Sequence, residues 1–480
     1  MDTRTEQNLL ADIDLRGGLT QAQAERIYAL GQEAVVFALL EQARLLAARA
    51  NLPAALASDP STPSGTTPPF AKPAVKNSRR RKSGRRAGHV GSRRKPPVRI
   101  DRTVEHRASE CPDCGGALKQ CSGTRERIIE DIPESVRVET VRHVIHRDWC
   151  PKCRKAVEPV ITEALPQSSI GNGIVVLGAW LHYALGTTIG QILDVFNFHL
   201  QFTLSAGGLV QMWHRLAEIL EAWYEEIRQD IQKSGVLHGD ETGWRVNGKT
   251  HWLWCFTSPQ ATLFTVERSR AGPVVLEFVK TYFAGVFVSD FWGAYNVLTC
   301  AKQKCLSHLL GDLKRVEQYK HTGGDWGAFA KKLRRLIRDA IRLRHKHETL
   351  PADVYARRCG QMQKRLDLLI QHGWTNKEAA RLVKRLRRHR DELWTFLEHR
   401  QVPYENNAAE RAIRGAVIMR KNSYANRSEK GAATQSILMS VFMTIKQRGQ
   451  SPVEIVKKGI KTYIETGTLP TLADCAASDG

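Results

Sequence analysis

The sequence contains no apolar run near the roughly 18 residues that a membrane-spanning helix needs. Its first residues, MDTRTEQNLL, lack the basic start and the apolar centre of a secretory signal peptide. These absences predict a soluble, cytoplasmic protein with no membrane partner. A chain of 480 residues also exceeds the size at which one hydrophobic core keeps growing, so we expect two or more domains.

Cysteine is sparse, with 10 residues in the whole chain. Four of them form two CxxC pairs and the others are scattered. This pattern argues against a disulfide framework and favours a metal site in a reducing compartment. We expect the scattered cysteines to behave as small hydrophobic residues.

Acidic residues are also few, 49 against 72 lysines and arginines, which gives a net charge of +23. The excess lies in residues 72–107, with 14 basic and 2 acidic residues, and in residues 312–400, with 23 and 11. Localised positive charge is typical of a protein that binds a polyanion, most often nucleic acid. A solvated linker and a charged helical face are the alternative explanation.

The N-terminal region, residues 1–57, is predicted to form one helix over residues 20–51. Apolar residues such as Ile27, Leu30 and Ala34 recur there at three- and four-residue steps. The helix either packs on the body of the protein or contributes to oligomerisation.

Residues 58–107 are predicted to form a flexible basic arm. Proline, serine, threonine and glycine cluster there before NSRRRKSGRRAGHVGSRRKPP, and such a segment cannot bury enough apolar surface to offset its ordering entropy. The arm can bind DNA phosphates, or it can be a solvated linker. The residues that we expect to bind DNA are Arg79, Arg80, Arg81, Lys82, Arg85, Arg86, Arg93, Arg94 and Lys95.

Residues 108–165 are predicted to form a zinc ribbon. Two knuckles, CPDC and CPKC, are separated by 35 residues, and residues 128–145 between them alternate like a β-hairpin. Four thiolates in paired spacing suit tetrahedral Zn²⁺, which would also stabilise a segment with little core. The predicted zinc ligands are Cys111, Cys114, Cys150 and Cys153. Three residues are near enough to substitute for them, namely Cys121, His143 and His146.

Residues 166–234 are predicted to be mostly helical. The segment FHLQFTLSAGGL interrupts two helices, over residues 187–198 and 209–231. Two helices joined by a short turn suit a DNA-binding helix-turn-helix, although they are equally ordinary in any helical domain.

From residue 235 the pattern changes to strands. Asn247-Gly248 predicts a hairpin turn between VLHGDETGW and THWLWCF. ATLFTV predicts a third strand, GPVVLEFV a helix, and AGVFVSD a buried strand that ends on Asp290. This order indicates an α/β RNase H-like core, with residues 235–311 as its first part and Asp240 and Asp290 on neighbouring strands.

Residues 312–400 are predicted to be a basic helical insertion into that core. Its amphipathic helices include WGAFAKKLRRLIRDAIRLRHK and EAARLVKRLRRHRDELWTFL. Residues 401–480 hold the last part of the core and a C-terminal tail. Asn406 or Asn407 caps a helix there, and Glu410 in its first turn can face the sheet.

Three carboxylates, those of Asp240, Asp290 and Glu410, are the predicted catalytic residues. Hard oxygen ligands suit two divalent ions, Mg²⁺ or Mn²⁺, which activate water or a 3′-hydroxyl at a scissile phosphate. Glu241 is the rival of Asp240, but adjacent strand residues point to opposite faces, so only one of them should reach the metals. Asp240 follows the apolar run and is the residue that we assign.

These segments together resemble the insertion sequence 66 family of bacterial transposases. The resemblance rests on RRAGHVG, CPDCGG with CPKC, HGDETGW, SDFWGAYN, and ENNAAERAIR followed by RKNSY. It implies an RNase H-like core whose acidic triad corresponds to Asp240, Asp290 and Glu410. The segment CLSHLLGDLKR departs from the Cys and His-Arg-Arg pattern of that family, so its candidates are left out of the catalytic set. They are Cys305, His308, Lys314 and Arg315.

The implied function is that of a DNA transposase which binds the terminal inverted repeats of an insertion sequence, cleaves the DNA and joins it to target DNA. The implied partners are DNA, further copies of the chain on that DNA, and small accessory proteins, with the protein associated with the nucleoid when bound. A transposase-derived zinc DNA-binding protein that no longer cuts, and a stand-alone nuclease, are the alternatives.

Overall fold

In a computed structural model, the chain divides into two compact units. We call residues Met1–Pro73 and Trp223–Gly449 the sheet unit, and residues Ala74–Ala222 and Gln450–Gly480 the cysteine unit. The structure describes residues 21–29, 31–32, 35–36, 38–39, 100, 102–104, 113–117, 128–129, 136–320, 322–423 and 426–477.

The strands are β1 (Asp148–Cys150), β2 (Lys155–Val157), β3 (Val236–Val246), β4 (Lys249–Thr257), β5 (Thr262–Glu267), β6 (Val286–Ser289) and β7 (Lys302–Lys304). The α-helices are α1 (Gln21–Ala29), α2 (Asn172–Ala179), α3 (Ile189–Asp194), α4 (Ala206–Gln232), α5 (Gly272–Val279), α6 (Leu306–Tyr319), α7 (Trp326–His345), α8 (Ala352–Gln371), α9 (Lys377–Arg388), α10 (Thr395–Glu398), α11 (Asn407–Ser423), α12 (Glu429–Gln447), α13 (Pro452–Thr466) and α14 (Leu472–Ala477). Two π-helical turns, Trp180–Ala184 and Val195–His199, and two 3₁₀ turns, Gly293–Val297 and Arg390–Glu392, complete the described elements.

The cysteine unit contains the second knuckle, in the turn between β1 and β2. These strands pair antiparallel, with Asp148 opposite Val157. The hairpin expected over residues 128–145 is not formed by its described residues, none of which lies in a strand. The strand pair therefore brackets the CPKC turn itself. Helix α13 packs against α2 in this unit, which also contains the rest of the C-terminal tail from Gln450.

The sheet unit is built on a five-stranded mixed sheet of order β5-β4-β3-β6-β7. Strand β3 pairs antiparallel with β4 and parallel with β6, while β6 pairs parallel with β7. Asn247 and Gly248 have φ values of 49° and 72°, as a two-residue hairpin turn requires. The predicted strands, hairpin and intervening helix in residues 235–290 are all present.

Helix α12 covers the free edge of β5. The hydroxyl of Ser440 accepts a hydrogen bond from the Phe264 amide at 2.8 Å, and that of Thr444 accepts one from the Thr262 amide at 3.0 Å. Edge-strand amides otherwise invite pairing with another chain. The helix therefore closes this side of the sheet.

Helices α6 to α10 form the insertion between β7 and α11. Their apolar faces share one core with the strand residues Val236, Val286 and Val288, so the insertion packs directly on one face of the sheet. Its largest fully buried aromatic residues are Phe329 and Phe396. Its charged residues lie on the outer faces of the helices, which is the amphipathic pattern expected.

Two predicted helices are interrupted in the structure. The helix expected over residues 20–51 is interrupted after Ala29, where Gly31 has a φ of 102° and its amide donates to the carbonyl of Tyr28, and the described residues 32, 35–36 and 38–39 are helical again. A left-handed glycine commonly ends a helix. The segment 378–397 is also divided, because the chain turns after Arg388 and thereby buries Phe396.

Two further predictions concern the basic arm with its neighbouring cysteine and the absence of a membrane-spanning helix. The basic arm that we expect to bind DNA, from Arg79 to Lys95, lies outside the described residues, and so does Cys111. Among the helices that the structure describes, none combines the length and the apolar character needed to cross a membrane.

Candidate active site

Asp240 and Asp290 come together through the parallel pairing of β3 and β6. The register places His238 opposite Val288, and Asp240 and Asp290 each follow two residues later, near enough for the charge of Asp290 to raise the pKa of Asp240 after burial and the charge of Glu241. Asp290 is held at the end of its strand because its Oδ1 accepts the Trp292 amide at 2.8 Å. The predicted neighbouring positions of the two aspartates are therefore present.

Asn406 brings Glu410 to the same place. Its side-chain nitrogen donates to the Gly239 carbonyl at 2.8 Å, and its Oδ1 lies 3.0 Å from Nδ1 of His238. Asn406 is buried, and its carbonyl accepts the Glu410 amide at 3.2 Å in the first turn of α11. The start of this helix is thus fixed to the strand that carries Asp240.

Helix α11 then runs along the Asp240 face of β3. Further along this helix, Arg420 donates to the hydroxyl of Thr242 at 3.0 Å. Every second side chain of a strand points to the same side, so those of His238, Asp240 and Thr242 share one face of β3. The three predicted catalytic carboxylates therefore share one face of the sheet, and they reach it from two strands and one helix.

This face concentrates negative charge. Burial, followed by the carboxylates of Glu241, Asp290 and Glu410, raises the pKa of Asp240 to about 8. The Glu241 amide donates to Asp240 at 3.0 Å and partly offsets that rise. An acid in this environment is stabilised by a proton or by a cation.

Glu241 occupies a different environment on the opposite face. Its side chain is 2% exposed, and one of its oxygens accepts both Nε and Nη2 of Arg270, at 2.9 and 2.6 Å. Its other oxygen accepts the hydroxyl of Tyr295. Burial and the charge of Asp290 raise its pKa, whereas Tyr295 and Arg270 lower it. The protein itself supplies the partners of this carboxylate.

Two indole rings hold Arg270 in place. The guanidinium carbon lies 4.5 Å from the ring centroid of Trp252 and 3.8 Å from that of Trp292. The Trp292 indole also donates to the Arg270 carbonyl at 3.1 Å. Since the Trp292 amide also donates a hydrogen bond to Asp290, this network connects the two faces of the sheet.

Close packing on the Glu241 side of β3 requires a glycine at position 239. A Cβ at this position would lie 2.5 Å from the ring of Phe287 and 3.1 Å from that of Tyr295. The glycine of HGDET therefore allows the aromatic layer to approach the strand directly beside Asp240.

Cys305 and His308, which the sequence analysis left out, lie against Glu410. His308 Nδ1 is 3.8 Å from a Glu410 oxygen, and both side chains are 42% exposed. A hydrogen bond with Cys305, followed by the charges of Cys305, Asp290 and Glu410, raises the pKa of His308 to about 9 despite burial. The same negative field would attract a metal ion.

A buried lysine lies on the Glu241 side of the strand end that carries Asp290. Lys304 donates to the hydroxyl of Ser289 at 3.1 Å and is fully buried. Burial lowers its pKa to about 8, while Glu392 and Asp290 oppose that shift. Sequence reasoning could not find it, because a single lysine in the short strand KQK gives no periodic signal.

The cysteine knuckles are described in part. The Cys153 amide donates to Sγ of Cys150 at 3.4 Å, and this contact lowers the pKa of the Cys150 thiol. Cys114 and Cys153 are exposed. A lowered thiol pKa favours the thiolate, which is the form that binds zinc.

Comparisons with known proteins identify the family of the chain. A family model described as "Transposase IS66 family" matches residues 167–434, and one described as "zinc-finger binding domain of transposase IS66" matches residues 108–154. The second match includes all four paired cysteines. Two similar proteins come from Sinorhizobium fredii (strain NBRC 101917 / NGR234). "Uncharacterized protein y4hP" is 22% identical over 75% of this chain and 73% of its own, and "Uncharacterized protein y4jD" is 24% identical over 76% and 77%.

Proposed function

The chain belongs to the IS66 family of transposases, and from this we propose that it binds the ends of an insertion sequence and catalyses metal-dependent DNA cleavage and strand transfer. The observation that carries the proposal is the convergence of Asp240, Asp290 and Glu410 on one face of the sheet. The order β5-β4-β3-β6-β7, with two consecutive hairpins and two parallel pairings, supports an RNase H-like core.

The donor set fits a hard divalent cation. Asp240, Asp290 and Glu410 offer oxygen ligands only, and the repulsion that raises the pKa of Asp240 would be relieved by Mg²⁺ or Mn²⁺. These three residues would hold the metal, which when bound supplies activation of a water or 3′-hydroxyl and charge neutralisation at the phosphate.

The remaining residues position this set. Asn406 holds the start of α11 against Gly239, and the Trp292 amide orients Asp290. Arg270 pairs with Glu241 and Tyr295 donates a hydrogen bond to it, so both oxygens of this carboxylate are occupied. Such preorganisation lowers the cost of arranging charged groups at the reacting phosphate.

Zinc binding at the two knuckles is the second part of the proposal. We propose that Cys111, Cys114, Cys150 and Cys153 bind one Zn²⁺, which is supported by the zinc-finger match and by the lowered pKa of Cys150. Metal analysis of the purified chain should return about one zinc at this site, and Cys150→Ser should lose it. Full retention of zinc by that variant would contradict the assignment.

The basic arm and the DNA complex extend the proposal. The arm residues from Arg79 to Lys95 would contact phosphates without reading bases, so DNA binding should weaken as salt rises. We further propose that the active assembly contains several copies of the chain and that accessory proteins can join it.

The deciding experiment uses the full chain and a duplex that carries the inverted repeat found beside its gene. With Mg²⁺ or Mn²⁺ we expect cleavage at the repeat and joining to a second duplex, and Asp290→Asn should bind the same DNA without cutting. Binding without any cutting by the natural chain would favour a zinc DNA-binding protein. Cutting without joined products would favour a nuclease.

A further inference from the structure

Three different ligand types converge beside the acidic triad. Sγ of Cys305, a ring nitrogen of His308 and a carboxylate oxygen of Glu410 all lie within 4.8 Å of one another. Tetrahedral ligands at roughly 2.0–2.3 Å from a metal are about 3.3–3.8 Å apart. The observed separations therefore need only small side-chain movements to enclose an ion.

The backbone holds these donors in place from two segments of the chain. The Cys305 amide donates to the Ser289 carbonyl at 2.8 Å, which ties the cysteine to the end of β6. The Asn406 amide donates to Sγ of Cys305 at 3.2 Å, which ties it to the start of α11. Cys305 is thus tied both to the strand that leads to Asp290 and to the start of the helix that carries Glu410.

The chemistry of this group differs from that of the two aspartates. Asp240 and Asp290 offer oxygen alone, which suits magnesium, whereas a thiolate and an imidazole suit borderline transition metals such as zinc. Cys305 is fully buried, while His308 and Glu410 are half-exposed, so an ion could enter from the solvent side.

We propose that Cys305, His308 and Glu410 bind a divalent transition-metal ion of the zinc class, separate from the zinc of the knuckles. Glu410 has two oxygens and can serve both this ion and the oxygen site of Asp240 and Asp290. Only that shared role of Glu410 rests on the proposed function. An ion at this place fixes the orientation of the glutamate and explains why the three side chains meet.

Cobalt is a suitable probe, because a cobalt–thiolate bond gives a near-ultraviolet absorption band. The full chain, freed of metal and then titrated with Co²⁺, should bind about two cobalt ions, one at the knuckles and one at this site. Cys305→Ser should lose the band of this site, and His308→Asn should weaken cobalt binding by roughly tenfold or more. Cys153→Ser should lose only the knuckle contribution.

Two controls separate the outcomes. Cys359→Ser changes a partly buried cysteine outside the site, on α8, and should keep the band. Asp240→Asn should keep it while losing DNA cleavage, so a failure of the proposed catalytic function would leave this result unchanged. Identical cobalt spectra and stoichiometry for the natural chain, Cys305→Ser and His308→Asn would overturn the proposal and leave Cys305 as the buried acceptor of the Asn406 amide. His308 is half-exposed, so its variant decides the matter even if Cys305→Ser fails to fold.

Discussion

Asp240 and Glu241 are neighbours on β3 and both are buried, yet the groups that contact their carboxylates differ. Asp240 faces two other triad carboxylates and has its pKa raised to about 8, with burial as the largest cause. Glu241 faces the other side of the sheet, where Arg270 and Tyr295 bind both of its oxygens. The strand places two acids one residue apart, and the layers on either side give them opposite roles.

The difference between the partners of these two carboxylates indicates which of them is suited to bind a cation. Glu241 is already neutralised by an arginine held between two indole rings. Three carboxylates raise the pKa of Asp240 beyond the effect of burial, and the Glu241 amide partly offsets that rise. An acid that the protein neutralises is structural, whereas an acid left among other acids is suited to a metal.

The largest expected effect tests the Asp240 side of this comparison. Asp240→Asn, Asp290→Asn and Glu410→Gln should each lower cleavage and joining by roughly a thousandfold, equal to about 4 kcal/mol in the barrier. Each change removes a metal ligand and leaves the DNA-binding charges in place. Cleavage of end-containing DNA should be measured beside DNA affinity, and normal cutting by all three variants would remove the basis of the mechanism.

The second effect tests the Glu241 side and serves as the matched control. Glu241→Gln should destabilise the fold by about 3 kcal/mol, because Arg270 loses its buried partner. The folded variant should still bind DNA and keep substantial cleavage activity. Thermal melting and cleavage at a temperature where the variant is folded provide the measurement. A stable but inactive variant would mean that Glu241, and not Asp240, serves the metal.

A third effect concerns pH. Because the folded pKa of Asp240 is about 8 and that of a free aspartate is about 3.9, the unfolded chain loses this proton first as pH rises. In a chelator, Asp240 should therefore lower stability progressively between about pH 4 and pH 8, with no further loss above pH 8. Asp240→Asn should melt a few degrees higher than the natural chain at pH 8 and nearly level with it at about pH 4. Added Mg²⁺ or Mn²⁺ should narrow the gap at pH 8. An equal gap at both pH values would show that Asp240 is an ordinary acid.

The smallest effect separates the two partners of Glu241. Tyr295→Phe removes one hydrogen bond to a charged group and leaves the Arg270 pair, so we expect a loss of about 1.5 kcal/mol. Its cleavage activity should be unchanged within about twofold. Denaturant unfolding of Tyr295→Phe, of Glu241→Gln and of the double variant would measure the coupling free energy between the hydroxyl and the carboxylate. Strictly additive losses of stability would show that the hydroxyl contributes independently of the carboxylate.

Local patterns in the sequence were sufficient for several elements. Asn247-Gly248 predicts the hairpin because both residues accept positive φ values, and the structure has them at 49° and 72°. Alternation along VLHGDETGW predicts that Asp240 and Glu241 lie on opposite faces. The capping asparagine predicts Glu410 in the first turn of a helix. These features depend on neighbouring residues, and therefore the sequence alone determined them.

Other features were decided only by contacts between distant residues. The pairing of Glu241 with Arg270, the junction of Asn406 with His238 and the meeting of Cys305 with Glu410 join segments whose spacing carries no period. The helix predicted to continue past Arg388 ends there because the core of the insertion takes up Phe396, which outweighs the local helical preference. Sequence patterns thus determined which acids lie on each face of β3, and the tertiary packing decided which of them the protein neutralises, because burial and charge partners are properties of the assembled fold.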